Sequence, residues 1–409
     1  MMNLFIVDQY PDLDEFAPII HEISSNSKVK VAMMNIYPVQ DIKKYDLTKL
    51  LINKSRVKII DLSSISIKIF LIIALLKVIL LLPKFILLRL NRLWFFLYHK
   101  INLLNVADIK RLIKKKKILS ISINNGIAQR YKEIFFEACS ETNIKLLLYG
   151  SGIEMRKDFD VPDYNELHSH YRIISDQYTT KNKKYDKIRY KIINLNSARY
   201  SFQWLDILED INLYKIENYR IPSVAKDRIK IVIFTRSLFY EEVWKNMESK
   251  IRLISNVDVK LRYKPRGDLS PLNINKQNIN QNSSSELINW ADIVISHKSS
   301  ILIEAMMKRK VIFYPIYLMQ DKKYMRIKED LKFEKPLFED YSCVININSL
   351  SEMLTNIENS LGKIEIWNKT CLKGQQNYLK EIFGDDFFDK KIVKDHLDFY
   401  SKIENKNYK

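Results

Sequence analysis

Short apolar runs alternate with amphipathic stretches through most of the chain, and this alternation is typical of helices packed on a parallel β-sheet. In the first half, the runs predicted as strands cover residues 4–7, 29–34, 118–123, 145–149 and 172–175. Stretches with helical spacing of their apolar residues lie between several of these runs, the first over residues 16–24. We therefore predict a parallel sheet in this half of the chain.

A second series of predicted strands covers residues 229–234, 257–263, 291–295, 311–314 and 343–347, again with helical stretches between them. A polar stretch that contains Pro222 and ends at Asp227 separates the two series. The α/β pattern therefore predicts an N-terminal domain over residues 1–195, a linker region over 196–228 and a C-terminal domain over 229–364. Residues 365–409 are predicted to form C-terminal helices.

Length and composition agree with two globular domains, because 409 residues with 47% hydrophobic content exceed one typical core. Only 7 glycines are present, so no glycine-rich phosphate loop can be identified. The three cysteines, Cys139, Cys343 and Cys371, are widely separated and odd in number, which indicates a reducing compartment without disulfides or a zinc site. Residues 3–7 are typical of a core strand, so we expect no signal peptide and a cytoplasmic protein.

The net charge of +19 is compatible with an anionic partner. The basic residues are spread along the chain without a recognisable nucleic-acid-binding motif, and Lys, Ile and Asn are abundant together, as a coding bias would produce. We therefore expect no nucleic-acid partner. An anionic membrane surface or an anionic substrate fits the charge at least as well.

Residues 65–104 are strongly apolar, but lysines, arginines and Pro83 interrupt them. No uncharged piece approaches the roughly 20 residues that a membrane-spanning helix needs. Two interpretations remain: a pair of helices buried on the sheet, or an interfacial segment with Trp94 and its aromatic neighbours at the level of the lipid headgroups. We favour the second, which predicts a peripheral protein on the inner face of a membrane.

Residues 290–315 are predicted to form a strand, a turn, a helix and a strand. The polar residues where the first strand gives way to the helix are His297, Lys298, Ser299 and Ser300. Serine hydroxyls and the unpaired backbone N–H groups of a helix N-terminus bind anions such as phosphate. Glu304, one turn further on, is placed to reach the hydroxyls of a ribose attached to that phosphate. A plain helix cap is the alternative interpretation of the two serines.

An acid-rich stretch follows the first predicted strand, at the edge of a parallel sheet where ligands commonly bind. Its candidate catalytic carboxylates are Asp8, Asp12, Asp14 and Glu15. A solvated loop with a helix cap is the alternative. His168 and His170 lie before another predicted strand, but no nearby set of carboxylates or cysteines supports a metal site there, so none is expected.

Four short motifs resemble those of bacterial capsule and lipopolysaccharide glycosyltransferases. They are Asn196-Ser197-Ala198-Arg199-Tyr200 with Trp204, Lys264-Pro265-Arg266-Gly267, Ala291-Asp292, and Ser299-Ser300 with Glu304-Ala305. The chain is also similar, more distantly, to polysialyltransferases, Kdo transferases and polyol-phosphate transferases of wall teichoic acid. The motif resemblance covers most of residues 196–315 and only the architecture elsewhere.

The resemblance implies the GT-B fold, with two Rossmann-like domains whose parallel sheets face a cleft. It implies that Lys264, Arg266 and the serine pair hold a nucleotide-sugar donor such as a CMP- or UDP-sugar, with Arg236 as a further cation. No metal ion or cofactor is expected. Arg266 stands where the family usually has a histidine; it can clamp a phosphate but cannot shuttle a proton near neutral pH.

The leading hypothesis is therefore transfer of a sugar to a growing surface glycan or a lipid-linked acceptor. In an inverting reaction, an N-terminal carboxylate would deprotonate the acceptor hydroxyl. The alternatives are a sugar-nucleotide 2-epimerase or a polyol-phosphate transferase on the same scaffold, or a non-catalytic subunit of a polysaccharide-assembly complex.

Overall fold

The computed structural model describes residues 1–7, 10–36, 42–44, 46–55, 57–65, 71, 74, 104–150, 169–177, 191–210, 228–236, 240–263, 284–297, 299–320, 322–324, 337–384 and 392–406. The strands are β1 Met2–Val7, β2 Lys30–Asn35, β3 Lys58–Ile60, β4 Ile118–Asn124, β5 Lys145–Tyr149, β6 Tyr171–Ile174, β7 Ile192–Asn194, β8 Ile229–Phe234, β9 Val257–Arg262, β10 Ile293–Ser296, β11 Val311–Pro315 and β12 Ile345–Ile347.

The helices are α1 Tyr10–Asn26, α2 Asp46–Ser55, α3 Val106–Lys116, α4 Gln129–Glu141, α5 Phe202–Asp210, α6 Glu241–Ile251, α7 Ser284–Trp290, α8 Ile301–Met307, α9 Tyr317–Gln320, α10 Leu350–Glu358, α11 Ser360–Phe383 and α12 Ile392–Lys406. Short 3-10 turns include Ala198–Tyr200, directly before α5. Among the described residues, no helix is both long and apolar enough to cross a membrane.

The chain forms two compact units: it passes from unit 1 to unit 2 between Trp204 and Leu205, inside α5, and its last helix, α12, belongs to unit 1 again. Unit 1 contains β1–β7 in the order β3-β2-β1-β4-β5-β6-β7, and unit 2 contains β8–β12 in the order β12-β11-β10-β8-β9. Every strand pair in both sheets is parallel. The predicted α/β class with two parallel sheets is thus confirmed, while the predicted domain limits stay a prediction.

Helix α1 packs on the unit 1 sheet through one apolar face. Leu13, Phe16, Ala17, Ile20 and Ile23 are all buried, and their spacing of three and four residues places them on one side of a helix. This face explains why α1 begins at Tyr10 and not at residue 16, where the sequence prediction began it. Asp12, Asp14 and Glu15 of the acid-rich stretch therefore lie in the first turns of a helix, where carboxylates interact favourably with the helix dipole.

Helix α12 belongs to unit 1 and covers a polar part of its sheet. The Asn3 amide donates to Glu404 over 3.0 Å and accepts from the Ser120 hydroxyl over 2.8 Å. The hydroxyls of Tyr400 and Ser122 are 2.5 Å apart. These hydrogen bonds satisfy polar groups inside the sheet that would otherwise be buried without partners.

In unit 2, β10 begins at Ile293, two residues later than predicted. Asp292, which carries part of one resembling motif, lies before the strand and is buried. Its carboxylate accepts from the Lys230 backbone N–H over 2.9 Å, and its own N–H donates to the Lys230 carbonyl over 2.7 Å. Asp292 therefore closes the amino end of β10 onto β8 and has a structural role.

Several short elements were not predicted, among them two strands. Strands β3 and β7 have only three residues each, too few to show a period of two. The basic residues of 111–117 lie mostly in the last turns of α3. Apart from Ile65, Leu71, Ala74 and Leu104, the predicted interfacial segment 65–104 lies outside the described residues.

Candidate functional site

In an open parallel sheet, ligands bind at the carboxyl edge where the order of the strands reverses direction. In unit 1 this switch point lies between β1 and β4, since β2 and β3 extend to one side of β1, and β4 to β7 extend to the other. Helix α1 follows β1, and the turn containing Asn125 and Gly126 follows β4. The switch point therefore lies beside the carboxylates of α1.

Two carboxylates of α1 meet a cation and a hydroxyl from the segment after β7. The Arg199 guanidinium lies 2.8 Å from the Asp14 carboxylate and 3.8 Å from that of Glu15. The Ser197 hydroxyl donates to Glu15 over 3.2 Å. Asp12 is buried nearby. The structure thus brings the acid-rich stretch and the Asn196–Tyr200 motif together, which the sequence did not predict.

The pKa of Glu15 is raised to about 7 from its ordinary 4.5. Burial of the carboxyl group is the largest cause, and the negative charges of Asp14 and Asp12 add to it. The positive charge of Arg199 and the hydrogen bond from Ser197 oppose the shift. A carboxyl with a pKa near neutrality can accept and release a proton at physiological pH, which is the property of a general base.

The segment that carries Ser197 and Arg199 is held from several sides. Asn196 has a left-handed backbone with φ of 55°, and its N–H donates to the Asn194 side chain over 3.1 Å. The Nε2 atom of His396, on α12, lies 3.2 Å from the Asn196 carbonyl. Burial lowers the pKa of His396 to about 4, so this ring is neutral near pH 7. Its Nε2–H is therefore the donor to the carbonyl, a contact that no sequence signal indicated.

In unit 2 the switch point lies between β8 and β10. Strand β8 is followed by Thr235 and Arg236, and β10 by His297. Burial lowers the pKa of the Arg236 guanidinium, and the nearby phenol of Tyr314 opposes that shift. His297 is fully buried, and its ring stacks on Tyr314 with 4.7 Å between the centroids. Arg236 thus lies at this carboxyl edge, near the phenol of Tyr314.

Ser299 and Ser300 lie half-buried immediately before α8. The Ser300 side chain makes no capping hydrogen bond, and the N–H of Ile301 donates to the Ser299 hydroxyl over a long 3.5 Å. Helix capping alone therefore does not account for the serine pair. Glu304 pairs with Lys308 over 3.4 Å, and both side chains are largely buried, so this carboxylate already has a partner.

The remaining predicted site residues, Asp8, Lys264, Arg266 and Lys298, lie outside the described residues, as does His168. The Nδ1 atom of His170 accepts the backbone N–H of Leu146 over 3.1 Å. Within the described ranges, no group of three or more His, Cys, Asp or Glu side chains is arranged to hold a metal ion.

Comparison with known proteins gives matches in structure only: no family model and no curated protein matches the chain. A glycosyltransferase from Rickettsia africae ESF-5 is 13% identical, with a TM-score of 0.50 and 98% of each chain covered. The UDP-GlcNAc 2-epimerase from Neisseria meningitidis, bound to UDP-GlcNAc, is 10% identical, with a TM-score of 0.50 over 93% of this chain and 99% of that one.

The wall teichoic acid polymerase TagF is 10% identical, with a TM-score of 0.54 over 99% of this chain and 90% of that one. At such identities the likeness shows the fold alone. The chain has the GT-B-like fold, which glycosyltransferases and 2-epimerases that use nucleotide sugars share.

Proposed function

We propose that this chain is a glycosyltransferase that moves a sugar from a nucleotide-activated donor, such as a CMP- or UDP-sugar, to an acceptor hydroxyl. The observation that carries the proposal is the pairing of Glu15 with Ser197 and Arg199 at the carboxyl edge of unit 1. A carboxyl group with a pKa of about 7 at the position where α/β sheets bind ligands is suited to deprotonate a hydroxyl.

In the proposed reaction, Glu15 takes the proton of the acceptor hydroxyl, and the oxygen of that hydroxyl forms a bond to the anomeric carbon of the donor. The bond from that carbon to the nucleotide phosphate breaks, and the phosphate leaves with the electron pair. Arg199 lies closer to Asp14 than to Glu15, so we assign it to neutralising Asp14 and orienting the base. Asp12, buried beside them, keeps the site negative and favours a high pKa for Glu15.

The donor nucleotide is assigned to unit 2. Arg236 at the switch point and the serine pair before α8 supply a cation and hydroxyls for the phosphates, whose growing charge they stabilise without a metal ion. On the basis of the sequence motifs alone, we also assign Lys264, Arg266 and Lys298 to binding the donor phosphates. Glu304 could meet the ribose only by exchanging its contact with Lys308. His297 acts indirectly, by stacking beneath Tyr314.

The acceptor is proposed to be a growing surface glycan, of the capsule or lipopolysaccharide kind, or its lipid-linked precursor. Such an acceptor places the protein at the inner face of a membrane as a peripheral protein. The high positive charge supports this location, since anionic lipids attract basic surfaces.

A 2-epimerase is the second candidate, because a UDP-GlcNAc 2-epimerase has this fold at a similar TM-score. A polyol-phosphate transferase is a further possibility on the same fold. The products separate the three reactions. An epimerase acts on the nucleotide sugar without any acceptor, whereas a glycosyltransferase transfers the sugar alone and a polyol-phosphate transferase moves the phosphate together with the polyol.

The assignment of the donor site is tested by measuring the nucleotide affinity of two variants, each replacing one arginine next to an end of β8. A thermal-shift screen of CMP-, UDP-, GDP- and CDP-linked compounds first identifies the preferred nucleotide. Arg236→Gln should then weaken its binding roughly tenfold to a hundredfold, as expected for loss of a charged hydrogen-bond partner. The matched control is Arg228→Gln, at the amino end of the same strand, where Arg228 pairs with Asp258 at 2.8 Å.

Calorimetry should find the control unchanged. Equal nucleotide affinity in both variants would show that the donor phosphates do not bind at Arg236. No response to any nucleotide compound would favour the non-catalytic subunit.

A further inference from the structure

Lysines mark the amino edge of the unit 1 sheet. Because all its strands are parallel, their first residues lie along the same edge. Strands β2, β3 and β5 begin with a lysine, and β4 and β7 directly follow one. These residues are Lys30, Lys58, Lys117, Lys145 and Lys191. The last turn of α3 adds Lys114, Lys115 and Lys116 at the same edge.

At the opposite edge of the same sheet, cations are paired with polar side chains: Arg199 with Asp14, Lys43 with Asp61 and Lys132 with Asn125. Among the described residues, the first two after each strand include Asp61, Asn125 and Asp176 but no lysine or arginine. A general enrichment of lysine by coding bias would place lysines at both edges alike. The difference between strand starts and strand ends therefore reflects the fold, with lysines at the strand starts and the carboxylate site, paired with Arg199, at the strand ends.

The amino edge is exposed and has short connections. Lys30, Lys58 and Lys114–Lys117 are all exposed, and the turns leading into β2, β4 and β5 contain only residues 27–29, 117 and 142–144. At about 4.8 Å between neighbouring strands, the edge from β3 to β7 is roughly 29 Å long. In the described part of this edge the short turns form no groove that would enclose a polymer, and we therefore match it with a flat partner.

Few carboxylates offset these cations in the described part of the chain. Glu141, at the end of α4, pairs with Lys110. Glu404 accepts hydrogen bonds from Asn3 and Ser27. Asp108 lies 3.7 Å from Arg111. None of these three carboxylates forms an ion pair with the strand-start lysines or with the last turn of α3 among the described residues. A net positive surface remains at this edge.

We propose that the amino edge of the unit 1 sheet is a docking surface for an anionic lipid bilayer. This inference rests on the proposed membrane location, but its test requires no turnover, so it can fail while the proposed reaction stands. Each lysine close to an anionic membrane raises the partition coefficient by roughly fivefold. The attraction weakens as salt shortens the Debye length, which is about 10 Å at 0.1 M.

The test is co-sedimentation of the full chain with vesicles of phosphatidylcholine, with or without phosphatidylglycerol. Binding should require phosphatidylglycerol and should be lost in high salt. The triple variant Lys114→Gln, Lys115→Gln, Lys116→Gln should bind about a hundredfold more weakly. The control removes the same charge from exposed positions of α11 in unit 2: Lys363→Gln, Lys369→Gln, Lys373→Gln. The control should bind like the unchanged chain, and circular dichroism verifies that both variants are folded.

Three results would contradict the proposal that this edge binds an anionic bilayer. Equal losses in both triple variants would show that net charge alone drives binding. Salt-resistant binding to pure phosphatidylcholine would assign the contact to apolar residues, as predicted for residues 65–104. Tighter binding to duplex DNA than to anionic vesicles at the same salt would indicate a nucleic-acid surface instead.

Discussion

Replacing Glu15 with glutamine should stabilise the protein at alkaline pH while abolishing its turnover. The unfolded chain releases the Glu15 proton near the ordinary pKa of 4.5, whereas the folded protein holds it until about 7. Because the folded pKa is raised, this carboxyl costs stability as pH rises through that window and costs most above it. Glutamine keeps the shape of the side chain and removes the ionisation.

The magnitude follows from the two pKa values. The linkage relation gives a cost of ~0.8 kcal/mol at about pH 5 and ~3.3 kcal/mol at about pH 8. Glu15→Gln should therefore gain about 2.5 kcal/mol more, relative to the unchanged chain, at the higher pH than at the lower. Losses that do not depend on pH, such as poorer packing of the glutamine side chain, cancel in this difference, and the attraction of Arg199 to ionised Glu15 is already contained in the pKa of about 7.

Urea denaturation at the two pH values measures the effect, with Trp204 reporting on unit 1. The control is Glu22→Gln, a half-buried position about two turns further along the same helix, which should show no comparable difference. If Glu15→Gln has the same effect on stability at both pH values, Glu15 ionises normally in the folded protein. The assignment of Glu15 as a general base would then be wrong.

Two further predictions concern unit 2. Asp292→Ala should cost roughly 1–3 kcal/mol in urea denaturation, because it leaves the half-buried N–H of Lys230 without its acceptor. It should not change nucleotide affinity measured by calorimetry, and weakened affinity at unchanged stability would give Asp292 a direct role at the site. Gly374→Ala should lower the urea midpoint, because its added Cβ would lie 1.8 Å from the Tyr341 carbonyl oxygen. In the same helix, the Cβ of Gly362→Ala meets nothing within 4 Å, so this control variant should gain about 0.5–1 kcal/mol of stability. Equal shifts of the urea midpoint in both variants would contradict this packing.

The sheets were predictable because their strands are apolar runs between polar turns, and such runs need no knowledge of distant contacts. Strand β8 has the limits that the sequence predicted, Ile229–Phe234. The parallel order followed from the alternation of strands and helices. Strands β3 and β7 escaped detection because three residues carry too little pattern, and β7 leads to the Ser197–Arg199 segment.

The candidate site was only partly predictable, because its contacts join residues that are far apart in the sequence. The acids of α1 attract attention by their density, but the contact between Asp14 and Arg199 joins residues far apart in the chain and depends on the completed fold. A local pattern cannot show which cation neutralises which carboxylate. The row of lysines at the amino edge is likewise invisible in the sequence, because neighbouring strands bring together residues from five separate segments.

The position of α12 has a consequence for the order in which the chain folds during synthesis. Asn3 and Glu404, which share a hydrogen bond, are 401 positions apart, and Ser122 and Tyr400 are 278 apart. At about 5–20 residues per second, the ribosome delivers α12 roughly 20–80 s after β1. Unit 1 therefore waits with a polar part of its sheet uncovered while all of unit 2 is made. The unit synthesised first is completed last, and a chaperone that shields that face has its longest opportunity in this interval.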